Sequence, residues 1–91
     1  MEVRWSLKAA DDLEQIVRYI QHDDPEAARR VARRIYERAG GLQTFPNRGR
    51  PGRVEDTREL TLAPLPFIII YRVVPEAVEV VRILHGAQRW P

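Results

Sequence analysis

Apolar and polar positions along the chain change period several times, and each change marks an element. Residues 67–74, FIIIYRVV, are apolar at seven of eight positions counting Tyr71. The β-branched Ile68, Ile69, Ile70, Val73 and Val74 suit a strand covered on both faces, which predicts a central strand. A second apolar run, 78–84, follows after Pro75, Glu76 and Ala77, a connection of the length and polarity that joins antiparallel hairpins. A hairpin this apolar does not stand alone. It needs a third strand and a covering layer.

The rest of the chain supplies both. Val3 and Trp5 alternate with Glu2 and Arg4, which predicts a short edge strand with one buried face. Ser6 can cap a helix over 7–22, where Leu7, Ala10, Leu13, Ile16, Val17 and Ile20 recur at helical spacing. Asp11, Asp12 and Glu14 lie in its early turns, favoured there by the helix dipole. Asp24 and Pro25 then stop this helix and start another, as N-cap and first helical residue. Ala28, Val31, Ala32, Ile35, Ala39 and Leu42 form the second apolar stripe, and Gly40 and Gly41 are expected to end it. A connection this tight makes the two helices antiparallel.

Residues 44–56, TFPNRGRPGRVED, have two prolines, two glycines and three arginines without periodicity, and predict a loop from the helical layer to the sheet. Residues 57–62 alternate, with Arg58, Leu60 and Leu62 on one side and Thr57, Glu59 and Thr61 on the other. Pro64 and Pro66 end that strand. The fold class is therefore α+β: an N-terminal strand, an antiparallel helical hairpin, then a three-stranded antiparallel meander with the helices on one face. At 91 residues the chain is read as one domain, 1–91.

Composition narrows the chemistry. There is no cysteine, and His22 and His85 fit no metal-ligand spacing, so neither a metal nor another cofactor is expected. With no signal peptide and no long apolar span, a soluble cytoplasmic protein with no membrane role is expected. The net charge of +2 hides an asymmetry of −4 over 1–26, +7 over 27–54 and −1 over 55–91. Fourteen of the fifteen basic residues are Arg, Lys8 being the exception, which favours planar bidentate contacts with carboxylate or phosphate, although genome composition produces the same bias. On the second helix Arg29, Arg30, Arg33, Arg34 and Arg38 form a basic face, open to two readings: solvated surface, or a partner site.

Taken together, these pieces resemble the RelE/ParE superfamily of toxins from bacterial type II toxin–antitoxin pairs. The resemblance rests on Ala10, Asp12, Leu13, Ile16, Tyr19 and Ile20, on the turn Asp24-Pro25, on Phe45-Pro46 with Gly49-Arg50, and on Arg58-Glu59-Leu60. It continues through Pro66 to Val73 and the ending LHGAQRWP. Two activities are well represented there, ribosome-dependent cleavage of messenger RNA and poisoning of DNA gyrase. The RelE-like ribonucleases place lysines where this chain has Glu59 and Thr61, and an arginine where it has Ile68. A carboxylate where the phosphate should lie is repulsive, so the ParE-like branch, which binds gyrase without catalysis, is the nearer.

That resemblance implies a growth-inhibiting toxin neutralised by a cognate antitoxin, ParD-like or RelB-like, in a hetero-oligomer, with DNA gyrase as target and no sequence-specific DNA binding of its own. The alternatives are a RelE-type endoribonuclease, in which Arg58, Arg72, Arg82 and His85 are the candidate catalytic residues, and an inactive relative that retains only antitoxin binding. The basic residues Arg29, Arg30, Arg33, Arg34 and Arg50 are the candidate antitoxin contacts. His85, Gln88, Arg89 and Trp90 in the tail are the candidate target contacts, because Arg and Trp are enriched at binding hot spots. The competing expectation for Trp90 is packing over the sheet edge or the first helix. Arg58, Arg72 and Arg82 fall amid apolar residues and need partners, for which Glu59, Glu76 and Glu79 are the nearest carboxylates in sequence.

Overall fold

The computed structural model describes residues 1–86 and 88–91. Its elements run β1 (Glu2–Trp5), α1 (Leu7–Gln21), α2 (Pro25–Gly40), a 3₁₀ turn (Gly41–Gln43), β2 (Arg50–Pro51), β3 (Arg58–Thr61), β4 (Phe67–Val74) and β5 (Ala77–His85). Both helices start as their caps dictate. Ser6 Oγ accepts from Ala9 N at 2.9 Å, and Asp24 Oδ1 accepts from Ala27 N at 3.0 Å with Pro25 in the first turn. Ser6 Oγ also donates to Val81 O at 2.9 Å, so the same hydroxyl that begins α1 pins it to β5.

The five strands form one mixed sheet in the order β1-β5-β4-β3-β2. The last three strands make the expected antiparallel meander, and β1 joins its β5 edge in parallel, Val3 opposite Val78 and Trp5 opposite Val80. The helical hairpin covers one face. There Ala9, Ile35, Ala39 and Leu42 meet Leu60, Leu62, Phe67, Ile69, Tyr71, Val78, Val80 and Ile83. Each fully buried branched side chain in such a core contributes roughly 1.5–3 kcal/mol through removal of apolar surface from water.

A bulge sets which side chains of β5 reach that core. Ile70 pairs with Arg82 and Tyr71 with Val80, which leaves Val81 as an extra residue. The inward alternation therefore jumps by three, from Val80 to Ile83, and both are buried.

The second helix ends at Gly40 with Gly41 as its C-cap, as expected, but with no left-handed residue: both stay right-handed, with φ of −60° and −63°, and the chain tightens into the 3₁₀ turn that buries Leu42. One local expectation is corrected: 44–56 is not wholly a loop, since Arg50 pairs with Glu59 and Pro51 with Arg58 as a two-residue edge strand. An edge is where proline is tolerated.

Gly49 precedes that strand and is buried. A Cβ there would lie 2.8 Å from the Tyr71 ring and hydroxyl and 2.9 Å from the Glu59 carbonyl oxygen, so only glycine lets the loop approach β3 and β4 this closely. The approach is fastened by Tyr71, whose hydroxyl accepts from Gly49 N at 2.8 Å and donates to Pro46 O at 2.7 Å. Burial raises the Tyr71 pKa above the usual phenol range, only partly offset by the Gly49 hydrogen bond and by Arg58 and Arg48.

Candidate functional site

Two separate surfaces collect the residues singled out by sequence. The first lies along α2. Arg30, Arg33 and Arg34, with Glu37, rim a groove of about 440 Å³ whose apolar part is built by Ala27, Val31, Pro64 and Leu65. Helical spacing puts these arginines on one side of α2, and the β3–β4 turn supplies the facing wall. Arg29 stands nearby on the helix, 3.9 Å from Glu26 at an exposed position. Arg50 is not part of this group. It sits on β2 and bonds Glu59, at 3.1 Å, on a different part of the molecule.

The second surface is the sheet face away from the helical core, where the tail returns. Gly86 N donates to Pro66 O at 2.7 Å, His85 N donates to Gln88 Oε1 at 2.6 Å, and Gln88 N donates to His85 O at 2.9 Å. This turn carries Trp90 back over β4 and β5, its ring 6.0 Å from the Arg82 guanidinium. Trp90, His85 and Gln88 border a small cavity floored by Ile68, Ile70 and Leu84, with Glu59, Arg50 and Arg53 at its other end. Trp90 is half-buried over the sheet face, so it packs on the sheet as well as bordering this cavity, while Gln88 and Arg89 are exposed. Ala87, within the quoted ending LHGAQRWP, lies outside the described residues.

The four residues that a ribonuclease reading would need do not converge. Arg58 donates to Gly49 O at 2.7 Å and Asn47 O at 3.4 Å, and Arg72 donates to Glu79 at 2.7 Å. These two border one cleft beside Asp56, Thr57 and Pro75. Arg82 is held elsewhere by Asp12, through Nε at 2.7 Å and a second guanidinium nitrogen at 3.1 Å, and the same carboxylate accepts from Ile83 N at 3.0 Å. That hydrogen bond, chiefly, holds the Arg82 pKa above its ordinary value. His85 packs edge-on against Phe67, centroids 5.9 Å apart.

The sequence-based pairing is thus right for Arg72 and Glu79 and corrected for the other two. Arg58 takes backbone carbonyls because loop 46–49 runs against it, and Arg82 takes Asp12 because α1 crosses β5 there. Glu59 spends its charge on Arg50 and on Arg53 N at 3.2 Å, and is 6% exposed. Asp12 had a signal that sequence reading missed. It lies three residues after Ala9 and four before Ile16, on the buried stripe, where a carboxylate needs a partner. Glu59 had a weaker one, next to buried Leu60 on a strand that reads as half-covered.

Two helices on one face of a five-stranded mixed sheet, an arginine-rimmed helical groove and a returning tail define an α+β toxin of the RelE/ParE kind. The family model described as the ParE toxin of the type II toxin–antitoxin system, parDE, matches residues 3–90, and the chain belongs to that family. It is 46% identical to Y4kP of Sinorhizobium fredii over 89 residues, 98% of this chain and 92% of the other. It is 39% identical to toxin RelE2 of Caulobacter vibrioides, over 96% and 97% of the two chains. Among solved structures, the chromosomal ParDE toxin–antitoxin system from P. aeruginosa superposes with a TM-score of 0.87 at 34% identity, over 93% of this chain and 95% of that one. The YoeB/ParE toxin from Agrobacterium tumefaciens shares the fold, with a TM-score of 0.66 at 19% identity over 93% and 98%. The protein is a type II toxin, and membership implies a cognate antitoxin. Among the described residues no helix is long and apolar enough to cross a membrane.

Proposed function

We propose that this toxin arrests growth by binding DNA gyrase and trapping it on DNA in the cytoplasm, acting as one domain over 1–91 and without catalysing a reaction itself. The observation that carries the reading is the state of its arginines. A ribonuclease needs cations free to surround a phosphate in flight. Here Arg58 is bound to carbonyls, Arg72 to Glu79, Arg82 to Asp12 and Arg50 to the buried Glu59. Target contact then falls to the exposed end of the sheet, His85, Gln88, Arg89 and Trp90.

Neutralisation falls to the α2 groove. Three guanidiniums around an apolar floor fit an acidic amphipathic segment of the antitoxin, with Arg30, Arg33 and Arg34 meeting carboxylates and Val31 and Leu65 meeting an apolar side chain. Arg29 extends this contact along α2. Purified toxin should inhibit supercoiling by gyrase and leave ribosome-bound messages intact. Codon-biased cleavage of messages with unimpaired supercoiling refutes the proposal.

A further inference from the structure

The outer side of β1 is an open sheet edge: among the described residues its only strand neighbour is β5. Ser6 N donates to Val80 O at 3.0 Å, with Trp5 opposite Val80 in the parallel ladder. The N–H and C=O groups of successive strand residues point to opposite edges. Glu2, Arg4 and Ser6 therefore turn theirs towards β5, while Val3 and Trp5 turn theirs outward. Unpaired edge groups of this kind template a further strand. Beside them, on the helical face, Met1, Val3, Trp5, Tyr36 and Gln43 border a half-open cleft of about 600 Å³. The Trp5 and Tyr36 rings stack there with centroids 6.1 Å apart, and Tyr36 and Met1 are exposed. Bare aromatic surface next to a bare strand edge marks an interaction surface that one partner strand can cover.

The edge is complementary to itself. Two copies related by a two-fold axis meet through the same residues, and two antiparallel β1 strands can use only registers in which the outward groups of Val3 and Trp5 face one another. With Val3 opposite Trp5 of the second copy, Arg4 lies opposite Arg4, and with Val3 opposite Met1, Glu2 lies opposite Glu2. Both set like charges across the strands, which destabilises the pairing. Trp5 opposite Trp5 runs each strand into the start of the other copy's α1 at Leu7. Only Val3 opposite Val3 places Glu2 against Arg4 and Arg4 against Glu2. In that register Val3 exchanges two hydrogen bonds with its counterpart, and on either side Trp5 N donates to Met1 O while Trp5 O accepts from Met1 N, so the outward groups of β1 are satisfied. The charged pairs fall at the non-hydrogen-bonded positions, where opposed side chains come closest. Within one chain Arg4 Nε lies 2.5 Å from Glu2, but both are exposed and such a pair is worth little, so exchanging partners costs little. On the helical face Met1 of each copy reaches the Trp5 ring of the other, a thioether against an aromatic, and enters its cleft.

We propose that β1 is the contact between two copies of this toxin, paired antiparallel about Val3 so that their sheets become continuous. The described residues that line the α2 groove and the tail cavity include none from β1, so the contact leaves both surfaces of each copy free. A short strand pairing with one aromatic contact on each side is a small interface, and the full chain should dimerise with a Kd on the order of 10 μM in sedimentation equilibrium. As concentration rises through that Kd, hydrogen exchange at the Val3 and Trp5 amides should slow at least about threefold, while the Arg4 amide, which faces β5, should not change. Arg4→Glu and Glu2→Arg each set like charges across the strands and should each raise the Kd at least about tenfold. Glu2→Arg with Arg4→Glu restores opposite charges at both pairs and should return the Kd to within about threefold of the parent. Both positions are exposed, so all three variants should melt within about 3 °C of the parent. The proposal is overturned by a chain that stays monomeric up to about 1 mM, by a dimer whose Val3 and Trp5 amides exchange as they do in the monomer, by single reversals that dimerise as the parent does, or by a double variant no better than the singles. A monomeric chain in which the antitoxin slows the Val3 and Trp5 amides would assign the edge to the antitoxin and overturn it equally.

Discussion

The Asp12–Arg82 pair sets a severe test of how the hairpin is held on the sheet. Asp12 is 10% exposed and Arg82 22%, by side chain, and Asp12 accepts three hydrogen bonds, two from Arg82 and one from Ile83 N. Asp12→Ala strands a largely buried guanidinium and a strand amide together. Removing one partner of a buried pair costs about 3–5 kcal/mol, and the residual exposure of Arg82 puts this case near 3 kcal/mol. With an unfolding entropy of roughly 2.1 cal/mol/K per residue, that lowers Tm by about 15 °C. Replacing both residues, Asp12→Ala with Arg82→Met, should regain much of the loss because no charge is left unpaired. An exposed pair is the control: Glu14→Ala, which breaks the contact with Arg18 at 75% and 56% exposure, should shift Tm by no more than about 3 °C. Arg82 has its pKa raised in the fold, so its contribution is complete below the ordinary arginine range and is lost only as pH rises through the folded value. The deficit should therefore be the same at pH 6 and pH 9. Calorimetric melting of the four chains decides it. An Asp12→Ala chain within about 5 °C of the parent, or a double variant no better than the single, refutes the reasoning.

Other outcomes follow from the same contacts. Tyr71→Phe orphans Gly49 N and Pro46 O and should cost about 2–3 kcal/mol in chemical denaturation. Because burial raises the Tyr71 pKa, its stabilisation is full below the free phenol value and falls as pH rises past about 10, a slope the phenylalanine variant should lose. Arg33→Glu with Arg34→Glu should slow antitoxin association at least about tenfold at low salt, with the gap closing as salt rises in stopped-flow measurements. Truncation after Leu84 uncovers Ile68 and Ile70, so Tm should fall by about 5–10 °C. The truncated chain should keep antitoxin binding and lose growth arrest, and arrest that persists would remove the tail from target contact.

What could be read in advance depended on how many residues share one period. The two helices and β4 carry long apolar repeats and caps, so Leu7–Gln21, Pro25–Gly40 and Phe67–Val74 were legible almost to the residue. β2 has two residues and therefore no period at all. The bulge at Val81 was hidden for a related reason. An extra residue in a strand that is apolar on both faces changes no pattern, yet it decides that Arg82 meets Asp12. Charge counting fared worst. The excess of basic residues over 27–54 reads as one patch in sequence, but Arg30, Arg33 and Arg34 line the α2 groove, Arg48 lies over the Phe45 ring at 4.9 Å, and Arg50 meets Glu59. Glycine marked the end of α2 correctly, although Gly40 and Gly41 permit a left-handed stop without requiring one and the chain stays right-handed into the turn that buries Leu42.

The placement of the groove and the tail bears on how one partner can silence the other surface. The α2 groove ends at Pro64 and Leu65, and the next residue, Pro66, is the acceptor for Gly86 N at 2.7 Å. If an antitoxin segment seats against Leu65, as proposed, it lies one residue from the carbonyl that anchors the tail, although no described residue of the groove lines the tail cavity. Coupling through one shared turn requires only that the two positions of the turn differ in free energy with and without the segment. The Gly86 amide reports on it directly, since its hydrogen bond to Pro66 is the link. If neutralisation acts through the turn, hydrogen exchange at Gly86 should change at least about threefold on antitoxin binding, and Arg33→Glu with Arg34→Glu should abolish the change. An amide whose exchange is indifferent to the antitoxin, in a toxin that the antitoxin still silences, would mean that the segment reaches round and covers the tail itself.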